Sequence, residues 1–198
     1  MDESQIETYR EKIGARGRKI ILYASDNISE AYPSDGEPYW GYDETTIFLN
    51  LTEAIRECKY SPEEYVLVVR PHPKEPSGKW EALIESVNCD ISVALDQGSK
   101  GTVAVCAADL VIGTMTLFLV EAAIAETPIL CATVGETRKA SFILSERELV
   151  DPLRKQGDLD RAMQSYFSGT WDGRVDWKLD GNATDRIVQF IEQHLEEI

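Results

Sequence analysis

The strongest candidate for a functional residue is His72, which stands between two prolines shortly after the apolar run of residues 65–69. Proline fixes its own backbone and biases the preceding residue towards an extended conformation, so the imidazole is held in few positions. Such a histidine suits hydrogen bonding to a phosphate or to a leaving oxygen. The alternative is that the Pro-His-Pro sequence only ends a strand and that the ring packs against a neighbour. Because the cations Arg70 and Lys74 flank it, we favour a functional role.

A second group of candidate residues forms a turn of small and hydroxyl side chains. The apolar run of residues 110–112 is closed by Gly113, and residues 116–126 have helical length and composition. Gly113, Thr114, Met115 and Thr116 therefore lie at a helix start, where unpaired N–H groups and the helix dipole attract phosphate. One of the two threonines can cap the helix, which leaves the other free to meet a ligand.

One carboxylate, Glu121, stands among the apolar residues of this helix. A carboxylate in such surroundings must be paired or must face a polar cleft. Nucleotide-binding folds use a carboxylate to hold the vicinal hydroxyls of a ribose. The alternative is an ion pair, with Arg138 or Arg70 as the partner. We favour ribose binding.

The elements that position these residues alternate between strands and helices. Apolar runs predict strands at residues 19–24, 65–69, 91–95, 110–112 and 128–131. The pattern is typical of an α/β fold, a Rossmann-like doubly wound sheet of about five mainly parallel strands with helices on both faces. Ligands bind such sheets at the carboxyl ends of the strands. Three segments then share one edge: Ser25 to residue 27, residues 70–74 and residues 113–116. We expect Ser25, Arg70, His72, Lys74 and residues 113–116 to bind the phosphate of a ligand at this edge.

The remaining segments are predicted from helix signals. Helices are expected at residues 2–17, 44–58, 79–87, 101–108 and 158–167, and after residue 182, where Asp43, Asp158 and Asn182 are the proposed caps of three of them. The loop of residues 25–40 follows the first strand, and a loop of that length is often functional. Residues 142–150 fit no element clearly.

Composition excludes several classes of protein. The 198 residues carry a net charge of −15, which argues against non-specific binding to nucleic acid or anionic lipid. No apolar run is long enough to cross a bilayer, and the polar start of the chain is no signal peptide. Four separated cysteines and two histidines argue against a structural zinc site and indicate buried, reduced thiols in the cytoplasm. We find no nucleophilic triad, Walker A or dinucleotide motif, and predict no metal site and no cofactor.

Several short motifs carry a family resemblance across nearly the whole chain. They are the strand at 19–24, GYDE at 41–44, VRPHPK at 69–74, ADLVIGT at 108–114 with Glu121, and DGNATDRI at 180–187. Together they resemble the C-terminal, donor-binding domain of GT-B glycosyltransferases. The likeness is to the bacterial capsule and cell-wall branch with an HP motif, which includes sialyltransferases, CDP-glycerol glycerophosphotransferases and UDP-N-acetylglucosamine 2-epimerases.

The resemblance implies roles for the candidate residues. His72 would contact the phosphate of the donor and would be the catalytic residue. The turn from Thr114 to Thr116 would cradle phosphate, and Glu121 would hold the ribose. The substrate would be a nucleotide-activated sugar or glycerol donor, carrying UDP or CDP, used without a metal in the synthesis of capsule polysaccharide.

The chain departs from the family in having one domain where GT-B enzymes have two. We expect residues 1–17 to be a lead-in helix and linker, and residues 18–198 to form a single Rossmann-like domain. An N-terminal domain that binds the acceptor would be missing, so the isolated chain is expected to bind the donor with little turnover. The alternatives are half of an epimerase-like enzyme and a standalone nucleotide-binding module without catalysis.

Overall fold

Strands and helices alternate along the chain in the computed structural model, which describes residues 2–177, 181, 182, 184, 185, 187 and 188. The strands are β1 (Lys19–Ala24), β2 (Tyr65–Arg70), β3 (Ser92–Leu95), β4 (Leu110–Gly113) and β5 (Ile129–Cys131). The α-helices of residues 2–177 are α1 (Glu3–Lys12), α2 (Ile28–Ala31), α3 (Glu44–Arg56), α4 (Lys79–Ser86), α5 (Gly101–Ala107), α6 (Leu117–Ile124), α7 (Ile143–Glu146) and α8 (Gln156–Phe167), and Pro62–Glu64 form one turn of 3-10 helix before β2.

All five strands are parallel and lie in one sheet in the order β3-β2-β1-β4-β5. The direction in which strands are added reverses at β1. The chain first adds β2 and β3 on one side of β1 and then crosses over to add β4 and β5 on the other side. This is the doubly wound arrangement, and the α/β fold class predicted from the sequence is confirmed.

The register of the sheet brings the site segments together. Ala24, at the end of β1, pairs with Arg70 on one side and with Gly113 on the other. The last residues of three adjacent strands are therefore level, and the loops that follow them start side by side. The N–H of Ser25 continues the ladder by donating to the carbonyl of Arg70 at 2.9 Å.

Both faces of the sheet are covered, which explains why its strands are apolar throughout. Ile20 and Leu22 face a core formed with α1, α5 and α6, whereas Ile21 and Tyr23 face a core formed with α3, α4 and α8. All four side chains are fully buried. A strand that is buried on both faces needs no alternation of polar and apolar residues.

Local signals explain most helix boundaries, with some corrections. Asp43 begins α3 in a capping box, accepting from the N–H of Thr46 at 2.7 Å and donating its own N–H to the Thr46 hydroxyl at 2.8 Å. Asp158, proposed as the cap of α8, lies inside its first turn instead, because the helix begins one turn earlier, after Lys155. Short helices occupy parts of two segments left without an element, α2 and α7.

Two further predictions concern the cysteines and the helix after Asn182. All four cysteines are free: Cys131 is buried, Cys58 and Cys89 are half-buried, and Cys106 is exposed on α5, so the expectation of buried thiols was wrong for Cys106. The helix predicted after Asn182 falls largely outside the described residues, and its apolar positions Phe190, Ile191 and Leu195 are among those not described.

A close contact between two glycines joins the loop before α3 to the loop after β5. Gly41 has a φ of +84° and Gly135 a φ of +93°. A Cβ on Gly41 would lie 2.1 Å from the carbonyl oxygen of Gly135 and 2.8 Å from the N–H nitrogen of Thr137. No side chain fits there, so both the positive φ and the backbone contact require glycine.

This contact predicts unequal costs for two glycine substitutions. Gly17 has a similar φ of +72°, but a Cβ added there would meet nothing within 4 Å, so Gly17→Ala should cost only the backbone penalty, about 1–2 kcal/mol. Gly41→Ala should cost about 1–3 kcal/mol more, because the loops must separate. Urea unfolding of both variants measures the difference. Equal losses would show that the two loops part freely.

Candidate functional site

A cavity of about 510 Å³ opens at the carboxyl edge of the sheet. The loops after β1, β2 and β4 each contribute to its wall, and aromatic residues before α3 close it on another side. Its polar lining is Asp26, Asn27, His72, Lys74, Thr114 and Ser141, and its aromatic lining is Tyr32, Trp40 and Tyr42. The level ends of the three strands produce this convergence, which makes the cavity the candidate site of function.

His72 is held in a defined orientation at the cavity wall. Its Nδ1 accepts a hydrogen bond from the backbone N–H of Lys74 at 3.2 Å. The backbone N–H of His72 donates to Glu75 Oε2 at 2.6 Å. Since Nδ1 is an acceptor, the neutral ring carries its proton on Nε2. The imidazole therefore presents an N–H donor, as binding an oxyanion would require.

The start of α6 offers further donors to the cavity. The Thr116 hydroxyl caps the helix by accepting from the N–H of Phe118 at 3.3 Å. The N–H groups of Met115 and Thr116 donate no hydrogen bond within the described part of the chain, and Met115 lines the cavity. Unpaired N–H groups at a helix start are the physical basis of anion binding.

Thr114 has a structural partner rather than a free hydroxyl. Its side chain is almost fully buried and donates to Asp26 Oδ2 at 3.0 Å. This bond ties the loop after β4 to the loop after β1. Gly113 lies below the turn, where a Cβ would approach the carbonyl of Ala24 at 3.2 Å.

Two other residues predicted to bind phosphate are engaged within the protein. Arg70 donates to Asp96 Oδ2 at 2.6 Å and to the carbonyl of Ser99 at 2.9 Å, and its guanidinium lies 5.3 Å from the centre of the Phe118 ring. Ser25 is buried and donates to Glu75 Oε1 at 3.0 Å. Neither residue lines the cavity, and their roles in phosphate binding stay predictions.

Glu121 lies apart from His72. It is exposed on α6 and does not line the cavity. Its Oε2 would be 3.6 Å from a Cβ built on Gly101, and Nη2 of Arg70 would be 3.7 Å from the same point. Carboxylate and guanidinium thus flank the start of α5, whereas Arg138 lies 4.2 Å from the centre of the Tyr39 ring. The role of Glu121 in ribose binding stays a prediction.

A buried ionic network beneath the cavity was not foreseen from the sequence. The ammonium of Lys79 bonds Glu44 Oε1 and Glu75 Oε1, the latter at 2.9 Å, and both carboxylates are fully buried. Glu44 Oε2 also accepts from the N–H groups of Ile28 and Ser29 at 3.1 and 3.0 Å. Glu75 accepts from His72 and Ser25, as above, and from Trp80 Nε1 at 3.1 Å. The network therefore fixes the loops after β1 and β2 together.

The network keeps its charges despite burial. Burial alone would raise the pKa of Glu44, but the hydrogen bonds from Lys79 and Ser29 outweigh it and hold that pKa below its ordinary value of 4.5. Burial likewise opposes the charge on Lys79, yet its bonds to Glu44 and Glu75 raise its pKa above 10.5. A carboxylate at the first position of an amphipathic helix usually faces solvent. For this reason the burial of Glu44 could not be predicted from the sequence.

The described residues hold neither a metal-binding cluster nor a membrane-spanning helix. They contain no group of three or more His, Cys, Asp or Glu side chains that could hold a metal ion. They also contain no helix of the length and apolar character needed to span a bilayer.

Comparison with family models finds no match, and comparison with curated proteins finds none. Solved structures do match. The wall teichoic acid polymerase TagF is 13% identical, with a TM-score of 0.50 over 99% of this chain and 49% of its own. The S. aureus MnaA–UDP structure is 14% identical, with a TM-score of 0.59 over 100% of this chain and 51% of its own.

A third match is the UDP-GlcNAc 2-epimerase from Neisseria meningitidis bound to UDP-GlcNAc, 14% identical with a TM-score of 0.59 over 96% of this chain and 49% of its own. At these identities the likeness shows a shared fold. The chain spans about half the length of each of these proteins. This agrees with the sequence resemblance to one domain of a two-domain GT-B protein.

The buried network predicts a large effect of removing its cation. Lys79→Met should destabilise the protein by about 3–5 kcal/mol, because two buried carboxylates lose their partner. Lys74→Met, which removes an exposed lysine nearby, is the matched control and should have little effect. Adding Glu44→Gln to Lys79→Met should restore part of the loss. Urea unfolding at neutral pH measures all of these.

The same variants should differ in their response to pH. Because the folded pKa of Glu44 is lowered, its contribution is present above pH 4.5 and is lost as the pH falls through the folded value. The stability gap between the unmodified protein and Lys79→Met should therefore narrow below about pH 4.5. A gap that stays constant into acid would mean that the carboxylates are not charged in the folded protein.

Proposed function

We propose that the chain binds the phosphate part of a nucleotide-activated sugar or glycerol donor and forms the donor half of a GT-B transferase in surface polysaccharide synthesis. The observation that carries this proposal is the set of donors around one cavity. The Nε2–H of His72, the ammonium of Lys74 and the free N–H groups of Met115 and Thr116 all lie at that edge of the sheet.

These donors suit an oxyanion for a physical reason. A protein with a net charge of −15 repels anions at long range, so binding a phosphate requires local donors in a fixed geometry. His72 is oriented by its Nδ1 bond, and its loop is fixed by the Glu75 carboxylate. Little ordering remains to be done on binding, which favours affinity.

Matching structures lend support to the choice of ligand. One of them holds UDP and another holds UDP-GlcNAc, and both share this fold. TagF, also of this fold, is a wall teichoic acid polymerase. We therefore propose a uridine or cytidine diphosphate donor, with the ribose held near Glu121 as the sequence predicts.

We propose further that turnover needs a second domain. The chain corresponds to about half of the proteins that it matches. Within the described part of the chain, His72 is the histidine at the cavity. No hydroxyl or carboxylate there hydrogen-bonds to its Nε2 and activates the ring as a base. Its role is then to stabilise charge on the phosphate, and the acceptor and its base come from elsewhere. The free cysteines suit a cytoplasmic protein.

Nucleotide binding can be tested by thermal unfolding. UDP or CDP at a hundred times its Kd should stabilise the fold by about 2.7 kcal/mol. For a chain of this length that corresponds to a rise of roughly 5–10 °C in Tm. No shift with either nucleotide, at concentrations up to several millimolar, would contradict the proposal.

Two substitutions of His72 separate the ligand contact from the loop contact. In His72→Asn the amide oxygen can accept from the N–H of Lys74 as Nδ1 does, but the Nε2 donor is lost. We expect about tenfold weaker nucleotide binding, which corresponds to about half the Tm shift. In His72→Gln an amide N–H can take the place of Nε2, and more of the shift should remain. Equal shifts in all three proteins would remove His72 from the site.

A further inference from the structure

Three aromatic rings form an ordered cluster in the loop between α2 and α3. The rings of Tyr32 and Tyr39 are stacked, with centres 5.1 Å apart and planes 16° from parallel. Trp40 meets both edge-on, at 5.5 and 5.0 Å. Tyr32 is nevertheless 45% exposed and Tyr39 40% exposed. Large rings that are held in order and left open to solvent mark a binding surface.

The backbone around these rings is fixed by several contacts. The carbonyl of Trp40 accepts from the N–H of Thr137 at 2.9 Å, and the carbonyl of Pro38 accepts from the N–H of Gly41 at 2.8 Å. The hydroxyl of Ser34 donates to the carbonyl of Glu37 at 2.9 Å. The contact between Gly41 and Gly135 closes the loop at its end. The ring surface is thus formed before any ligand arrives.

The cluster opens onto the same cavity as His72. Tyr32 and Trp40 line the cavity of 510 Å³ beside Asp26 and Asn27. Tyr32 and Tyr39 also line a neighbouring cavity of 220 Å³. A ligand that placed its phosphate at His72 would therefore extend towards the aromatic rings.

The wall of the cavity carries acceptors as well as donors. His72 and Lys74 supply donors, and Asp26 supplies a carboxylate. That carboxylate accepts from the Thr114 hydroxyl and from the N–H of Asn27 at 3.1 Å, which leaves acceptor positions unused. The side-chain oxygen of Asn27 is buried without a hydrogen-bond partner within the described residues. These unused acceptors in the cavity wall require hydrogen-bond donors such as hydroxyl groups.

We infer that the Tyr32–Tyr39–Trp40 cluster is a stacking platform for a neutral saccharide ring, whose hydroxyls donate to Asp26 and Asn27. A pyranose has apolar C–H faces that pack on an aromatic ring and hydroxyls around its edge, so it matches both the rings and the unused acceptors. The inference rests on the proposed function for the phosphate site next to it, and it assigns the sugar to a particular set of residues.

Saturation-transfer NMR on the full chain tests this directly. The probes are UDP-GlcNAc, UDP alone, and a set of methyl glycosides of neutral hexoses and N-acetylhexosamines. Irradiating the protein should saturate the sugar C–H protons of UDP-GlcNAc and of at least one glycoside. Tyr32→Ala should weaken the affinity for sugar about five- to tenfold, because one stacked ring is lost. Tyr32→Phe keeps the ring and should bind as the unmodified protein does.

The outcomes separate the two proposals. Saturation of uridine protons without sugar protons would overturn the platform and leave the proposed function standing. Saturation of sugar protons only would support the platform and count against nucleotide binding. Sugar signals that persist unchanged in Tyr32→Ala would also overturn it. Tyr39→Ala is the second variant, expected to weaken sugar signals while retaining those of UDP, and it decides the question should Tyr32→Ala fail to fold.

Discussion

The site depends on one ammonium group shared between two buried carboxylates. Lys79, Glu44 and Glu75 lie beneath the cavity, and their remaining acceptors take hydrogen bonds from the loops after β1 and β2. Each loop would be free to move if it were held only by its strand. The network makes the two loops a single rigid wall, with His72 on its surface. A buried ion triad is a poor source of net stability, but it is a strong means of fixing geometry.

Most of the fold could be predicted from the sequence because its signals are local. Apolar runs marked the five strands, Asp43 with Thr46 marked the start of α3, and the rule for parallel sheets placed three loops at one edge. Register added what periodicity could not supply, namely that Ala24, Arg70 and Gly113 are level. The elements that were missed are the short helices α2 and α7, whose stability comes from tertiary contacts rather than from propensity.

The site was less predictable because its essential contacts join distant parts of the chain. The sequence pointed to His72 and to the turn at Thr116, where a motif and a helix start are visible. It could not reveal that Lys79 reaches Glu44 across 35 positions, or that Arg70 is held by Asp96. Residue type alone says that a cation is present. Only packing says whether that cation faces a ligand or a neighbour.

The contact between Gly41 and Gly135 has a consequence for how such a protein diversifies. This contact closes one end of the loop that carries Tyr32, Tyr39 and Trp40. The other end is anchored by the N–H groups of Ile28 and Ser29, which donate to Glu44. Residues 32–40 are therefore bounded by two fixed points and share no hydrogen bond with the His72 loop within the described chain. Residues 32–40 can therefore be replaced as a unit in proteins with this scaffold. Such a replacement would change the ligand group that these residues recognise and leave the edge with His72 unchanged. We expect relatives to vary most in length and ring content between these two anchors.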